Sequence, residues 1–440
     1  MRRIHYWVFS FCLWCSGVVS QPLFGEKPGT FHTSTEWQLK PSLKFDALCL
    51  LNTLSGDPYY LKFYRAEYAH FHPLFTPEEN AAFVQLKHVI KDEGHGIVSA
   101  QLTLYYSTVA DQTLPEMINT ARDSSAMQAS LKKTPYYFDD SWKVYDEARP
   151  ALETALRALD RVGFTAYWET KARPGIERRI AELSPDLMKY NILPVIERYL
   201  GFAVPSETIT VYVLSYSEPH DIRVSGLQFL THKSYPFAIV LHSAIHESMH
   251  PPFDKNNPSV RRAIDLLSGD PLVIDKVEHH DPSFGYNTAV GYIEEDSVQA
   301  LEQIVSEQFG QGRNPHIYWK YQDGGMHLLA TAIYVDYKAA FQRSPKTYSE
   351  WFAHAVEDGE LRGSNLQATT KHFSLVTFIE TTIFVAVLVC IFIGSIFAFL
   401  AYKTRRNPVG WFFLGFFLNV FALAVIGVIT TRKKFNAVAS

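Results

Sequence analysis

Cysteine is scarce in this sequence, with four residues in 440, at positions 12, 15, 49 and 390. Cys12 and Cys15 lie in an apolar N-terminal leader and Cys390 in an apolar run near the other end. Cys49 is therefore alone in the body of the chain, and no intrachain disulfide framework can hold it together. It sits in Ala47-Leu48-Cys49-Leu50-Leu51, the setting of a buried, unreactive thiol rather than a nucleophile. An excess of charge is missing too. With 41 Lys and Arg against 45 Asp and Glu, the formal net charge of −4 provides no attraction to nucleic acid, and a nucleic-acid partner is excluded. No internal repeat divides the chain. What disulfides cannot supply must come from a core, and 440 residues of which 47% are hydrophobic can bury a large one.

The apolar residues are concentrated at the ends. Arg2 and Arg3 precede an apolar stretch from Ile4 to Val19 that closes on the small Ser20. This is the layout of a secretory signal peptide over 1–20, with an uncleaved signal anchor as the alternative, and either would export the body of the chain. Near the C-terminus, Ile383 to Ala401 and Val409 to Thr430 carry no charge, flanking the basic loop Lys403-Thr404-Arg405-Arg406-Asn407. Each is long enough to cross a bilayer, so transmembrane helices are expected over 373–402 and 408–430. Arg405 and Arg406 then fall inside, as the positive-inside tendency asks, whereas Arg432, Lys433 and Lys434 fall outside against it. A re-entrant second segment would remove that conflict. A lipid bilayer is accordingly an expected partner, with the remainder extracytoplasmic (periplasmic or extracellular) at the cell membrane.

Between the ends, 21–41 is rich in Pro, Gly, Thr and Ser and reads as a tether or edge-lying segment. Helical patterns come next: Ala81 to Ile90 opened by Pro77, Ala151 to Leu159 opened by Pro150, and Pro174 to Leu200 with a break at Pro194. A mainly helical domain over 21–205 is expected. The character changes after Pro205. Thr208 to Leu214 and Val224 to Leu230 read as strands, a helix is expected over Ile239 to His250, and Phe253 to Tyr292 reads as loop. Pro251-Pro252 stops the helix at His250.

That helix carries His246-Glu247-Ser248-Met249-His250. Histidines four apart project from one helical face, close enough to share a metal ion, and imidazole suits zinc. Glu247, beside the first histidine, is placed to take a proton from a metal-bound water. A catalytic zinc wants a third protein ligand, and Glu294-Glu295-Asp296 on a later helix offers carboxylates. At about 100° per residue, Ile293, Val298, Leu301, Ile304, Val305 and Phe309 gather on one face. Glu294 falls at its centre, while Glu295, Gln299 and Glu302 fall opposite. A carboxylate on a buried face must be paired or bind metal, which selects Glu294 as the third ligand and leaves Glu295 as the alternative. The trio has another reading, as acids favoured by the helix N-terminus.

On these residues the stretch from Thr208 to Gly310 resembles the gluzincin branch of the zinc metallopeptidases. Those enzymes combine a His-Glu-x-x-His helix with a glutamate on a later helix. The resemblance implies Zn2+ held by His246, His250 and Glu294, with Glu247 as general base, and hydrolysis of a peptide or protein substrate by zinc-activated water. It also implies an α+β, zincin-like catalytic domain over 206–365. The sequence departs from the family in placing Pro251-Pro252 directly after the motif, and Val298 where thermolysin-like members carry an Asp. A zinc-binding envelope sensor or interaction module without turnover is the competing reading.

Other histidines have plainer readings. His242 lies two turns from His250, about 12 Å along a helix axis, too far to share its metal. His279-His280-Asp281 resembles a ligand cluster but sits in the expected loop, as a substrate site or second-metal site at most. Tyr286, His279 and His327 are the candidates to stabilise an oxyanion.

Overall fold

The computed structural model describes residues 31–94, 96–281, 286–344 and 346–417, together with the two-residue strand Phe9–Ser10. Met1–Gln367 forms one compact unit and Ala368–Ser440 a second. The boundary expected at 205/206 falls inside the first unit. The leader expected at 1–20 lies outside the described residues apart from Phe9–Ser10.

The strands are β1 (Phe9–Ser10), β2 (Glu36–Lys40), β3 (Thr208–Leu214), β4 (His220–Val224) and β5 (Gln228–His232), in the order β1-β4-β5-β3-β2. Every pairing is parallel except that of β4 with β5. β3 is the β-branched run read from the sequence, buried along almost its whole length, as befits a strand with structure on both faces. Two expectations change here. The single strand expected at Val224 to Leu230 is instead a hairpin, whose turn contains Gly226 at φ +77°, a conformation that glycine adopts without steric cost. The tether segment supplies β2, which pairs from Glu36 against Thr208 to Lys40 against Tyr212.

Helices of the N-terminal half build directly onto this sheet. Asp46, on the helix Leu43–Leu54, accepts hydrogen bonds from the backbone N–H groups of Ser215 (2.8 Å) and Tyr216 (2.9 Å) and from the Trp168 indole (2.7 Å). It thereby fixes the end of β3 to two distant helices. Cys49 on the same helix is buried, and burial pushes its thiol well above the usual range. The helix Pro77–Lys87 starts on a reciprocal Thr76–Glu79 cap, which satisfies two of its otherwise unpaired backbone N–H groups. Pro150 lies inside the helix Asp139–Arg161 rather than opening one. Arg173–Leu187 and Leu193–Leu200 are separate helices, parted just before Pro194 as expected.

Phe253 to Tyr292 is not mainly loop. It contains the helices Pro258–Ser268 and Pro271–His279, each begun by a side-chain cap: Asn257 accepts from the Ser259 N–H and Asp270 from the Leu272 N–H. The prolines that read as breakers occupy the first helical turn, where no backbone hydrogen bond is lost. The α+β expectation is corrected accordingly: the described chain is predominantly helical, with strands confined to one small sheet.

The C-terminal transmembrane helices are also a correction, because among the described residues no helix is long and apolar enough to cross a membrane. The uncharged run Ile383 to Ala401 lies within the helix Gly363–Lys403. Of the second segment expected at 408–430, residues 408–417 are helical and the remainder lies outside the described residues. Within this second unit, a Cβ on Gly394 would meet the Phe412 carbonyl oxygen at 3.0 Å. Glycine there lets the two helical segments approach closely.

Candidate metal centre

The motif helix, Phe237–Ser248, comes after β5 and a short turn and packs on the long helix Ala289–Gln308. His246 lies inside the motif helix, whereas His250 lies just beyond its C-cap, Met249. Their rings still face one another, with centroids 5.0 Å apart and the two Nε2 atoms at 3.2 Å.

Glu295, not Glu294, meets this pair of nitrogens. Oε1 of Glu295 lies 3.5 Å from His246 Nε2 and Oε2 lies 3.7 Å from His250 Nε2. Ligand atoms of His246, His250 and Glu295 all fall within 4.8 Å of one another, and this buried group could hold a metal ion. Gln299 steadies the carboxylate by donating to Oε1 at 2.9 Å. Oε2 has no hydrogen-bond partner among the described residues, an expensive condition for a carboxylate only 1% exposed.

Glu294 lies on the other side of His250. Its Oε1 is 3.4 Å from His250 Nδ1 and its Oε2 2.5 Å from Lys255 Nζ. The sequence argument failed because the long helix has no single buried face: every residue from Gly291 to Ser306 is buried. Its polar stripe, Glu295, Gln299, Glu302 and Ser306, therefore turns inward as well, toward His242 and His246. The signal was available in the sequence. Those four positions recur at helical spacing, matching the four-residue step from His242 to His246.

Electrostatics reflect this packing. Burial favours the neutral form of Glu295, but His246 and His250 outweigh it and hold the carboxyl down at about 2. Burial likewise opposes a charged His246, yet Glu295, with smaller contributions from Glu247 and Glu302, raises its proton affinity. For Glu294, burial is overcome by the Lys255 ammonium and His250, and its pKa is lowered. Glu247 is buried, and its backbone carbonyl accepts from Arg223 at 2.7 Å. Asp221, raised to about 7 chiefly by burial, accepts from Ser243 on the motif helix and feels the Glu247 charge.

The remaining candidates separate clearly. His242 pairs with Glu302, which also binds Arg313, and Ser306 completes that network at 3.1 Å from His242 Nδ1. His279 and His280 bond to backbone carbonyls of their own helix, those of Asp275 and Val277, both at 2.9 Å, and His279 is exposed. Neither joins a metal-binding group among the described residues. His327 is held between Asp296 (2.6 Å) and Asp323 (2.9 Å) through both ring nitrogens, which leaves none for an oxyanion. Tyr286 is buried beside it, ring centroids 5.8 Å apart.

No family model, no curated protein and no solved structure matches the chain.

Proposed function

We propose that the protein is an exported zinc-dependent metallopeptidase, with His246, His250 and Glu295 as the zinc ligands and Glu247 as the general base. The observation that carries this reading is the spacing of the three converging groups. Ligands arranged tetrahedrally at roughly 2.0–2.2 Å from one zinc stand roughly 3.3–3.6 Å from each other. The two Nε2 atoms stand 3.2 Å apart, Glu295 Oε1 is 3.5 Å from His246 Nε2 and Glu295 Oε2 is 3.7 Å from His250 Nε2. Each histidine thus meets its own oxygen of the carboxylate, and with one atom taken from each residue all lie within 4.8 Å. Two imidazole nitrogens and a carboxylate, all buried, make a poor hydrogen-bonding group but a suitable ligand set, because they place three electron-pair donors around one point.

Zinc bound there would act as a Lewis acid and lower the pKa of a water in its fourth position. Glu247, next to His246 on the same helix, would take the proton from that water as it attacks the peptide carbonyl. It would then pass the proton to the leaving amine. Arg223 and Asp221, through Glu247 O and Ser243, hold the motif helix against the hairpin that precedes it. Glu247→Gln is the test of this chemistry. The variant should retain about one zinc per chain and lose peptide hydrolysis, and retained hydrolysis would overturn the mechanism.

A further inference from the structure

Glu294 and Glu295 are neighbours in sequence, but a helix turns about 100° between them. They reach opposite edges of the same imidazole. Glu295 is on the Nε2 side of His250, with the other converging groups, and Glu294 is on the Nδ1 side at 3.4 Å. A neutral imidazole offers a lone pair from only one nitrogen, and the acceptor beside the other decides which. A carboxylate next to Nδ1 selects Nδ1–H as donor and leaves the Nε2 lone pair facing His246 and Glu295.

His250 needs such an orienting group more than His246 does. It lies past the end of the motif helix, in the turn that leads through Pro251 and Pro252 to Asn257. Lys255, in that same turn, meets Glu294 Oε2 at 2.5 Å. The lysine side chain is 36% exposed and the Glu294 side chain 6%, so the ion pair runs from the surface down to the histidine.

We propose that Glu294 is a positioning residue that fixes the tautomer and ring orientation of His250, and that Lys255 holds Glu294 in place. Neither belongs to the ligand set. This inference rests on the reading of His246, His250 and Glu295 as metal ligands. It places the turn after the motif helix in the metal-binding machinery, through a lysine that makes no contact with the metal.

The test uses the full chain and reads metal affinity rather than activity. Zinc dissociation constants would be measured by competition with a chelator, and the visible spectrum recorded after Co2+ substitution. Glu294→Ala is expected to bind one zinc with affinity reduced about 10–100-fold, the usual effect of removing an orienting partner, while the Co2+ spectrum keeps its four-coordinate intensity. Glu294→Gln, which retains an acceptor for Nδ1–H, should recover part of the loss. Lys255→Met should weaken binding by a smaller factor at unchanged stoichiometry. Unchanged affinity in Glu294→Ala, or abolished binding there with zinc retained in Glu295→Ala, would overturn the proposal. If Glu294→Ala fails to fold, Glu294→Gln and Lys255→Met carry the same comparison. Wild-type protein that binds no stoichiometric zinc would instead refute the underlying metal-site reading.

Discussion

Adding zinc to the metal-free protein should raise its unfolding temperature, and the structure sets the scale. His246 on the motif helix, His250 in the turn after it and Glu295 on the long helix are each less than 8% exposed and converge within 4.8 Å. No such site exists in the unfolded chain, so the free energy of binding appears as folding free energy. At free zinc of about 100 times the dissociation constant, a single site contributes roughly 2.7 kcal/mol. For a folded unit spanning Met1–Gln367, with an unfolding entropy of about 2.1 cal/mol/K per residue, each kcal/mol moves the midpoint by roughly 1.3 °C, which gives an expected rise of roughly 3–4 °C. The assay is a thermal melt monitored by circular dichroism, started in chelator and repeated across a zinc titration. Mg2+ at equal concentration should give no comparable rise, since it demands octahedral oxygen ligation. His246→Ala and Glu295→Gln should each lose most of the shift. No rise in wild type, or the same rise in both variants, would refute the reasoning.

Two further outcomes concern buried charge beside the site. His327 is raised to about 10, because burial, which lowers it, is outweighed by Asp296 and Asp323. Its stabilising contribution is full below the unfolded histidine pKa of about 6.5 and is lost as pH rises through about 10. Stability should therefore fall by a few kcal/mol across that interval in urea melts, and His327→Gln should flatten the slope; an unchanged slope would count against the assignment. Glu302 binds both His242 and the Arg313 guanidinium between the packed helices. Glu302→Leu should cost about 3–5 kcal/mol, as expected when one member of a buried pair is removed. A loss below about 1 kcal/mol, the range of an exposed pair, would show that water screens this network.

The motif helix was legible in the sequence because its signals are local. An apolar run leads into His246, although the helix closes at Ser248 and leaves His250 in the turn before Pro251-Pro252. β3 was equally clear, as a β-branched run with turn residues after it. The carboxylate that joins the two histidines was not, because helical phase identifies a buried face only when the opposite face is wet. The helix Ala289–Gln308 is enclosed on all sides, so burial of Glu294 did not distinguish it from Glu295. What separates them is the partner on each side, Lys255 for one and two imidazoles for the other, which only the fold brings together. The same limit explains the missed helices after the motif. Asn257-Pro258 and Asp270-Pro271 serve equally as turn signals and as helix starts, and tertiary packing of the apolar face of Val260, Ala263, Ile264 and Leu267 decides the first. At the C-terminus, the absence of charge from Ile383 to Ala401 was a composition signal, and among the described residues no helix is long and apolar enough to cross a membrane.

The central claim is that His246, His250 and Glu295 together hold one metal ion, and anomalous scattering at the zinc edge from crystals of zinc-loaded protein addresses it directly. The account predicts a single strong peak at roughly 2.0–2.2 Å from Nε2 of both histidines and from a Glu295 carboxylate oxygen, with Glu294 outside that shell. A peak bonded to Glu294 in place of Glu295, or no peak between the two helices, would contradict it.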